Sequence, residues 1–272
     1  MDVNRPGAEA MDDDGRHDGA GESRWALPAS IEAAWGMRER PHKGPKPGLS
    51  LARIVEAGVQ IAEASGLAAV SMSRVAAELG SAPMSLYRYV SAKDELVALM
   101  VDSVFAHALV PAVPDEGWRA GLTRLAWAMR AVMHQHPWVL RAPISGLPVR
   151  PNEVAWFEQA LHALRGTGLP EERKASVILL VSGYVRNEAS TSADIEAAVR
   201  SSGAAPDEWM SAYGRMLAKL ADPQRFPAIS AFISSGVFEK YDDPDVEFTF
   251  GLERILDGVA VLLAADPAPS PD

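Results

Sequence analysis

The stretch SMSRVAAELGSAPMSLYRYV, from Ser71 to Val90, predicts the fold of the chain around it. Ser71 is a hydroxyl residue suited to cap a helix, and the apolar spacing after it predicts a short first helix. Gly80 predicts a tight turn, because glycine adopts positive φ without steric cost. A second helix can begin at Ala82 or Pro83, since proline is tolerated in a first helical turn. Two short helices joined in this way form a helix-turn-helix, whose second helix fits the major groove of B-DNA.

The predicted second helix has one apolar face and one face suited to nucleic acid. Leu86 and Val90 form the inner face, whereas Met84, Ser85, Arg88, Tyr89 and part of Tyr87 are left outside. An arginine pairs bidentately with guanine or phosphate, hydroxyl groups reach phosphate oxygens or base edges, and methionine contacts a thymine methyl. The alternative is a helical interaction module that uses the same helix pair only for packing.

The flanking segments extend this motif into a compact unit over residues 49–108. Upstream, Ser50 is the expected cap of an amphipathic helix that ends near Gly66. Downstream, Ser91 and Asp94 have the spacing of a capping box, which predicts a helix through about His107. Lys93 in that helix is placed to meet a phosphate.

The charge is unevenly distributed. Between Gly36 and Lys93, eight basic side chains face four acidic ones, which gives +4; the total of −10 therefore leaves −14 elsewhere. A positive head on an acidic body would orient the head toward DNA. Ordinary fluctuation of charge along the chain is the alternative reading.

Composition excludes several classes of protein. The 272 residues are 48% hydrophobic, enough for one or two cores, and include no cysteine, which excludes disulfides and thiol chemistry. No apolar run reaches the length of a membrane span and no signal peptide is apparent, so a cytoplasmic protein without membrane contact is expected. The chain lacks GxSxG, HExxH, Walker and GxGxxG motifs, so we expect no enzyme, no catalytic residue and no cofactor.

The N-terminal 48 residues are expected to lie outside the main folded units. Residues 1–24 are acidic, rich in glycine and alanine, and predicted to be disordered, as are residues 266–272. Residues 25–48 form an extension with a short helix after Pro28, followed by a proline-stiffened basic segment that carries Lys43 and Lys46. This segment is either a DNA-contacting arm or a plain linker.

Residues 117–265 predict a second, larger domain that is all-α, because no strand alternation is convincing. Aromatic and polar residues on its helices are candidates for binding a small-molecule effector: Trp127, Arg130, His134, Trp138, Trp156, Tyr184, Asn187 and Tyr213. Ordinary core packing or surface exposure is the alternative for each of them. His134 and His136 lack a clear carboxylate partner, so no metal site is expected.

These patterns resemble the TetR-type transcriptional repressors. The resemblance is strongest from Leu49 to Asp102, where the GL before the first motif helix, Gly80, LYRYV and KDEL stand in the family's DNA-binding pattern. It is weaker over residues 117–264, through HPWV, PISGLPVRPNE and FTFGLERILDGV, which look like the ligand-binding domain of the tetracycline repressor branch. It implies an all-α homodimer that binds a palindromic operator in double-stranded DNA as a repressor and is released by a small-molecule effector.

The resemblance also implies roles for particular residues. Pro83 and Met84 would begin the recognition helix, and the residues expected to face DNA are Arg74, Ser85, Tyr87, Arg88, Tyr89 and Lys93. Ser73 stands where many relatives have a DNA-contacting arginine, so operator preference is open. The dimer bundle would come from residues 175–188 and 246–264, which carry the apolar residues Val177, Leu180, Val181, Tyr184, Phe248, Leu252, Ile255, Leu256, Val259 and Leu262. Burial of these residues inside one subunit is the alternative.

Overall fold

The structure is a computed structural model that describes residues 27–37, 49–143, 147–239 and 243–265. Helices connected by turns make up these ranges, and no strand occurs in them. The α-helices are α1 (Ala29–Ala34), α2 (Leu51–Ser65), α3 (Met72–Glu78), α4 (Pro83–Leu86), α5 (Lys93–Phe105), α6 (Trp118–Gln135), α7 (Pro151–Ala163), α8 (Glu171–Ser202), α9 (Pro206–Leu220), α10 (Pro227–Ser234) and α11 (Pro244–Ala265). The predicted all-α fold is confirmed.

Helices α2 to α5 form the head, and their ends follow the predicted signals. The Ser50 hydroxyl accepts a hydrogen bond from Arg53 N at 3.3 Å, and Ser71 accepts one from Arg74 N at 3.2 Å. Gly80 has a φ of +60° at the turn between α3 and α4. A core that includes Ile54, Val75, Ala76, Leu86 and Met100 fills the space between these helices.

The start of α5 differs from the prediction. The helix is capped by Ala92, whose methyl side chain cannot accept a hydrogen bond, instead of by Ser91. Ser91 donates its hydroxyl hydrogen to Glu95 at 2.6 Å, four residues on, so Asp94 takes no part. Glu95 also accepts a hydrogen bond from Ser30, which attaches α1 to the head. The capping-box prediction was wrong because Glu95, one residue later, reaches both serines.

The N-terminal helix has a packing role that its sequence did not reveal. Ile31 and Ser30 of α1 are buried against the head, whereas Trp35, just after the helix, reaches the body. The Trp35 indole nitrogen donates to the carbonyl oxygen of Val149 at 2.9 Å. The predicted disordered segments, 1–24 and 266–272, lie outside the described residues.

The body consists of α6 to α11, with α6 packed between α7 and α8, and α8 packed against α11. Its core includes Leu122, Leu125, Met133, Phe248 and Leu252. Helix α8 runs without interruption for 32 residues and ends at Gly203, which adopts a left-handed φ of 70°. Within the described ranges, no helix is both long and apolar enough to cross a membrane.

Most residues of the predicted dimer stripes are buried within a single subunit. They are Val177, Val181, Phe248, Leu252, Leu256 and Val259. The intramolecular alternative therefore holds for these positions. Apolar residues that α8 and α11 leave exposed include Leu180, Phe250 and Val261.

Candidate DNA-binding surface and effector cavity

The turn between α3 and α4 exposes the start of the second motif helix. Helix α4 is a single four-residue turn with Pro83 at its first position, and the chain continues through Tyr87–Tyr89 as a turn. Leu86 and Val90 are buried in the head, as their spacing predicts. Met84 is 75% exposed, and Pro83 is exposed beside it.

Arg88 is an exposed cation on this surface. It is exposed, and it makes no hydrogen bond or ion pair with any residue that the structure describes. Lys93, in the first turn of α5, is likewise exposed and without a partner in the described ranges. Both side chains are therefore free to meet phosphates or base edges without breaking an internal contact.

Two other predicted DNA-facing residues have internal partners. The Tyr89 hydroxyl donates to the carbonyl oxygen of Leu49 at 3.1 Å, and its ring packs on the head core. Arg74 is exposed, but its guanidinium donates to Ser65 Oγ at 3.0 Å. Tyr89 therefore joins the end of the motif to the start of α2, and Arg74 must give up a hydrogen bond to reach DNA.

The remaining residues predicted to contact DNA lie either on the surface of the motif or outside the described residues. Tyr87 is exposed, and Ser85 is half-buried on the same turn. Lys43 and Lys46 lie outside the described residues. The assignment of all these residues to DNA contact stays a prediction.

A cavity of about 830 Å³ lies where the head meets the body. Its walls come from α5, α6, α7, α8 and the turn Pro137–Arg141 with the residues after it. Ala98, Val101 and Phe105 of α5 line it, so a helix of the head forms one wall. The volume is within the range of sites for organic ligands, and the lining is mainly apolar and aromatic.

A few polar groups interrupt the apolar lining. Glu153, Ser176, Ser182 and Arg186 are the polar side chains on the wall. Arg186 donates through Nη2 to the carbonyl oxygens of Leu140 and Ala142, at 3.2 and 2.9 Å. Burial of the guanidinium lowers the pKa of Arg186 from its ordinary value. This arrangement suits a largely apolar ligand with a small number of hydrogen-bonding groups.

Of the eight side chains predicted to bind an effector, Trp156 alone lines this cavity. Trp138 is buried in the head core, where its indole nitrogen donates to Glu63 at 3.1 Å. His134 and Asn187 are exposed, and Tyr213 stacks on Trp209 of α9. These positions therefore lie away from the cavity wall.

The other three predicted residues, Trp127, Arg130 and Tyr184, meet at a packed cluster between α6, α8 and α11. Arg130 lies over the rings of Trp127 and Phe248, and it pairs with Glu188 at 3.0 Å. Arg130 also pairs with Asp245 at 2.6 Å. Burial alone lowers the pKa of Arg130, but the hydrogen bonds to these two carboxylates outweigh it and raise that pKa above its ordinary value. The guanidinium is thus held by two carboxylates and two aromatic rings of the body itself.

Asp102 of α5 is a buried polar group that sequence reasoning missed. Its carboxylate accepts hydrogen bonds from the backbone N–H groups of Asn152 and Glu153, each at 3.0 Å, and from the Asn152 amide. Burial outweighs these hydrogen bonds and raises the pKa of Asp102. The first turn of α7 is thus capped by a residue of the head, because the local cap Arg150 offers no acceptor.

A metal site finds no support among the described residues, which contain no group of three or more His, Asp or Glu side chains close enough to share an ion. His136 instead contacts Glu63, with 2.5 Å between Nδ1 and Oε1.

Comparison with known proteins gives matches in both halves of the chain. The model of the bacterial regulatory proteins of the tetR family matches residues 54–100. The model of the tetracyclin repressor-like C-terminal domain matches residues 110–263. The HTH-type transcriptional repressor DrrR1 of Streptomyces coeruleorubidus is 41% identical over 237 residues, which cover 86% of each chain.

Comparison with solved structures gives matches to a TetR family protein as well. Apo ActR from Streptomyces coelicolor superimposes with a TM-score of 0.66 at 28% identity, covering 81% of this chain and 99% of that one. ActR in complex with actinorhodin gives a TM-score of 0.65 at 29% identity, with the same coverage. The helix-turn-helix head, the all-α body and these matches together show that the chain belongs to the TetR family of transcriptional regulators.

Proposed function

We propose that this protein is a ligand-responsive repressor that binds a palindromic operator as a homodimer and leaves it when an organic effector enters the cavity. The observation that carries this is the double role of α5. Leu96 and Met100 of this helix are buried in the head core, whereas Val101 and Phe105 line the cavity. A ligand that moves α5 therefore moves the DNA-binding motif with it.

The DNA contacts would come from the α3–α4 surface. Arg88 would contact a guanine or a phosphate, Met84 would make an apolar contact to a thymine methyl, and Lys93 would contact a phosphate. The exposure of all three in the free protein supports these roles. The homodimer would bury the apolar residues that α8 and α11 expose, such as Leu180, Phe250 and Val261.

The effector would be a mainly apolar molecule with a few hydrogen-bonding groups. ActR, a relative of similar fold, forms complexes with actinorhodin and with (S)-DNPA. Arg186 and the two serines on the cavity wall offer donors to such a molecule. The proposal includes no catalytic step, and it places the protein in the cytoplasm with the DNA.

A titration of DNA tests the proposal. The purified protein is titrated onto the DNA immediately upstream of its own gene at two salt concentrations, with an unrelated duplex as control. Tight, sequence-dependent binding that weakens with salt is the expected result, because phosphate contacts release counterions. Equal, weak binding to both duplexes, repeated on a wider set of genomic fragments, would favour a helical module that does not use its motif on DNA.

Matched variants locate the contact surface. Arg88→Ala should weaken operator binding at least tenfold, in line with the about 1–3 kcal/mol of a bidentate base contact. Arg215→Ala removes the same charge from the exposed surface of α9 and should leave the affinity within about twofold, because this site is remote from the groove. Parent-like binding by Arg88→Ala would exclude the proposed docking at that position.

A further inference from the structure

A short segment after α6 is held on one side by the head and on the other by the cavity wall. His136 Nδ1 lies 2.5 Å from Glu63 Oε1, and the Trp138 indole nitrogen donates to the same oxygen at 3.1 Å. Glu63 belongs to α2, so this carboxylate joins the head to the body. Since a carboxylate only accepts hydrogen bonds, His136 must donate through Nδ1.

The same segment borders the cavity within one residue of this contact. Val139 follows Trp138 directly and lines the cavity, as does Ala142 at the end of the turn. Trp138 and Val139 are both buried in the head's own hydrophobic core. Because Trp138 and Val139 are buried in a close-packed core, a shift of the cavity side of the turn should be passed on to their neighbours in the head.

Arg186 completes the connection on the ligand side. Its guanidinium lines the cavity and donates to the carbonyl oxygens of Leu140 and Ala142. A ligand that accepts hydrogen bonds from Nη2 of Arg186 competes directly with these two carbonyl groups, whereas one that accepts from Nε or Nη1 does not. The polar contacts therefore run from the cavity through Arg186 and the turn to Glu63.

We infer that the hydrogen bonds of Glu63 to His136 and Trp138 are the coupling element through which occupancy of the cavity changes the orientation of the head. This rests on the proposed function and adds a regulatory contact separate from α5. Glu63 and Trp138 act as positioning residues, since neither lines the cavity and neither is among the residues proposed to contact DNA. With the contact intact, the turn and α2 move together; without it, the cavity side moves alone.

A double-mutant cycle tests this without knowledge of the natural effector. Ala142→Phe places a ring in the cavity and serves as a built-in ligand. Glu63→Leu removes the acceptor of both hydrogen bonds while it keeps a side chain of similar size on α2. Operator affinity is measured for the parent, both single variants and the double variant. We expect Ala142→Phe to weaken operator binding at least tenfold in the parent and less than threefold beside Glu63→Leu.

A second readout does not depend on DNA. The chain has no cysteine, so Met84→Cys provides one spin-label site per head, and the label-to-label distance reports head spacing in the free dimer. Ala142→Phe should shift this distance in the parent but not beside Glu63→Leu. Trp138→Phe, which leaves the His136 contact in place, should reduce the shift only in part. Glu56→Gln, a charge removal on the exposed face of α2, should leave the shift unchanged.

The outcomes separate the two proposals. Equal effects of Ala142→Phe in both backgrounds would overturn the coupling role, as would parent-like spacing and affinity for Ala142→Phe itself. If the parent bound no DNA preferentially, the proposed function would fail, but the distance cycle would still decide whether Glu63 couples the cavity to the head.

Discussion

Removal of the Asp102 carboxylate tests how far the head holds the body together. Asp102 is 5% exposed and accepts hydrogen bonds from two backbone N–H groups in the first turn of α7. Asp102→Ala leaves both donors without a partner, at a cost of about 1–3 kcal/mol each, partly offset because no buried charge remains. We expect a net loss of roughly 2–3 kcal/mol in the free energy of unfolding.

Urea denaturation at one fixed protein concentration measures this loss, because a dimer's apparent stability depends on concentration. Glu78→Ala, which removes an exposed carboxylate of α3, is the control and should change stability by less than about 0.5 kcal/mol. An Asp102→Ala protein as stable as that control would refute the capping role.

The raised pKa of Asp102 adds a pH dependence to the same test. Because the folded-state pKa lies above the ordinary value of 3.8, the native state binds the proton more tightly than the unfolded chain does. The stabilisation that comes from this bound proton is therefore complete below the ordinary pKa of 3.8, and it is lost as the pH rises through the raised pKa of Asp102. The stability of the parent relative to Asp102→Asn should fall over this range; a rising difference would show that the pKa is lowered instead.

Two further substitutions test the body. Arg130→Ala should destabilise the fold by about 3–5 kcal/mol, because it leaves the largely buried Glu188 carboxylate without an opposite charge and with only the Ser192 hydroxyl as a donor. Arg141→Ala breaks an exposed pair and should cost less than about 1 kcal/mol in the same denaturation assay. Phe250→Glu should convert the dimer to monomer in sedimentation equilibrium, since Phe250 is 61% exposed on the proposed interface, while Leu220→Glu on α9 should leave the dimer intact; a dimeric Phe250→Glu protein would place the interface elsewhere.

The head could be predicted from sequence because its signals are local. Ser50 and Ser71 cap the helices they precede, and Gly80 turns the chain with positive φ. Each signal depends on hydrogen bonds or sterics within about four residues, so the sequence contains all the needed information. The capping prediction failed at Ser91, where Glu95 also bonds to Ser30, which is 65 residues away. Tyr89 was predicted to lie outside but packs on the head core, because its hydroxyl partner Leu49 is 40 residues away.

The cavity could not be predicted because its position depends on which faces of the helices meet. Trp127, Arg130 and Tyr184 have the mixed polarity of a ligand site. On the folded chain, however, Arg130 lies over the Trp127 ring and pairs with Glu188, and the Tyr184 hydroxyl donates to the carbonyl oxygen of Phe248. The cavity lies on another side of α6, where Met129 and Met133 have no distinguishing pattern in the sequence. Arg186 was missed for the same reason, since its carbonyl partners are more than 40 residues away.

The contact of Asp102 with α7 and the contact of Glu63 with the turn after α6 also limit which ligands can act as effectors. A ligand shifts a conformational equilibrium only by its difference in affinity for the two states, and a change from 1:99 to 99:1 requires a difference of about 10⁴-fold. A molecule that fills the apolar space without displacing α5, α7, the turn after α6 or Arg186 should stabilise the protein but leave it on DNA. A molecule that takes the two Nη2 hydrogen bonds of Arg186 displaces the turn that Glu63 holds, and we expect effectors to include molecules of this second kind.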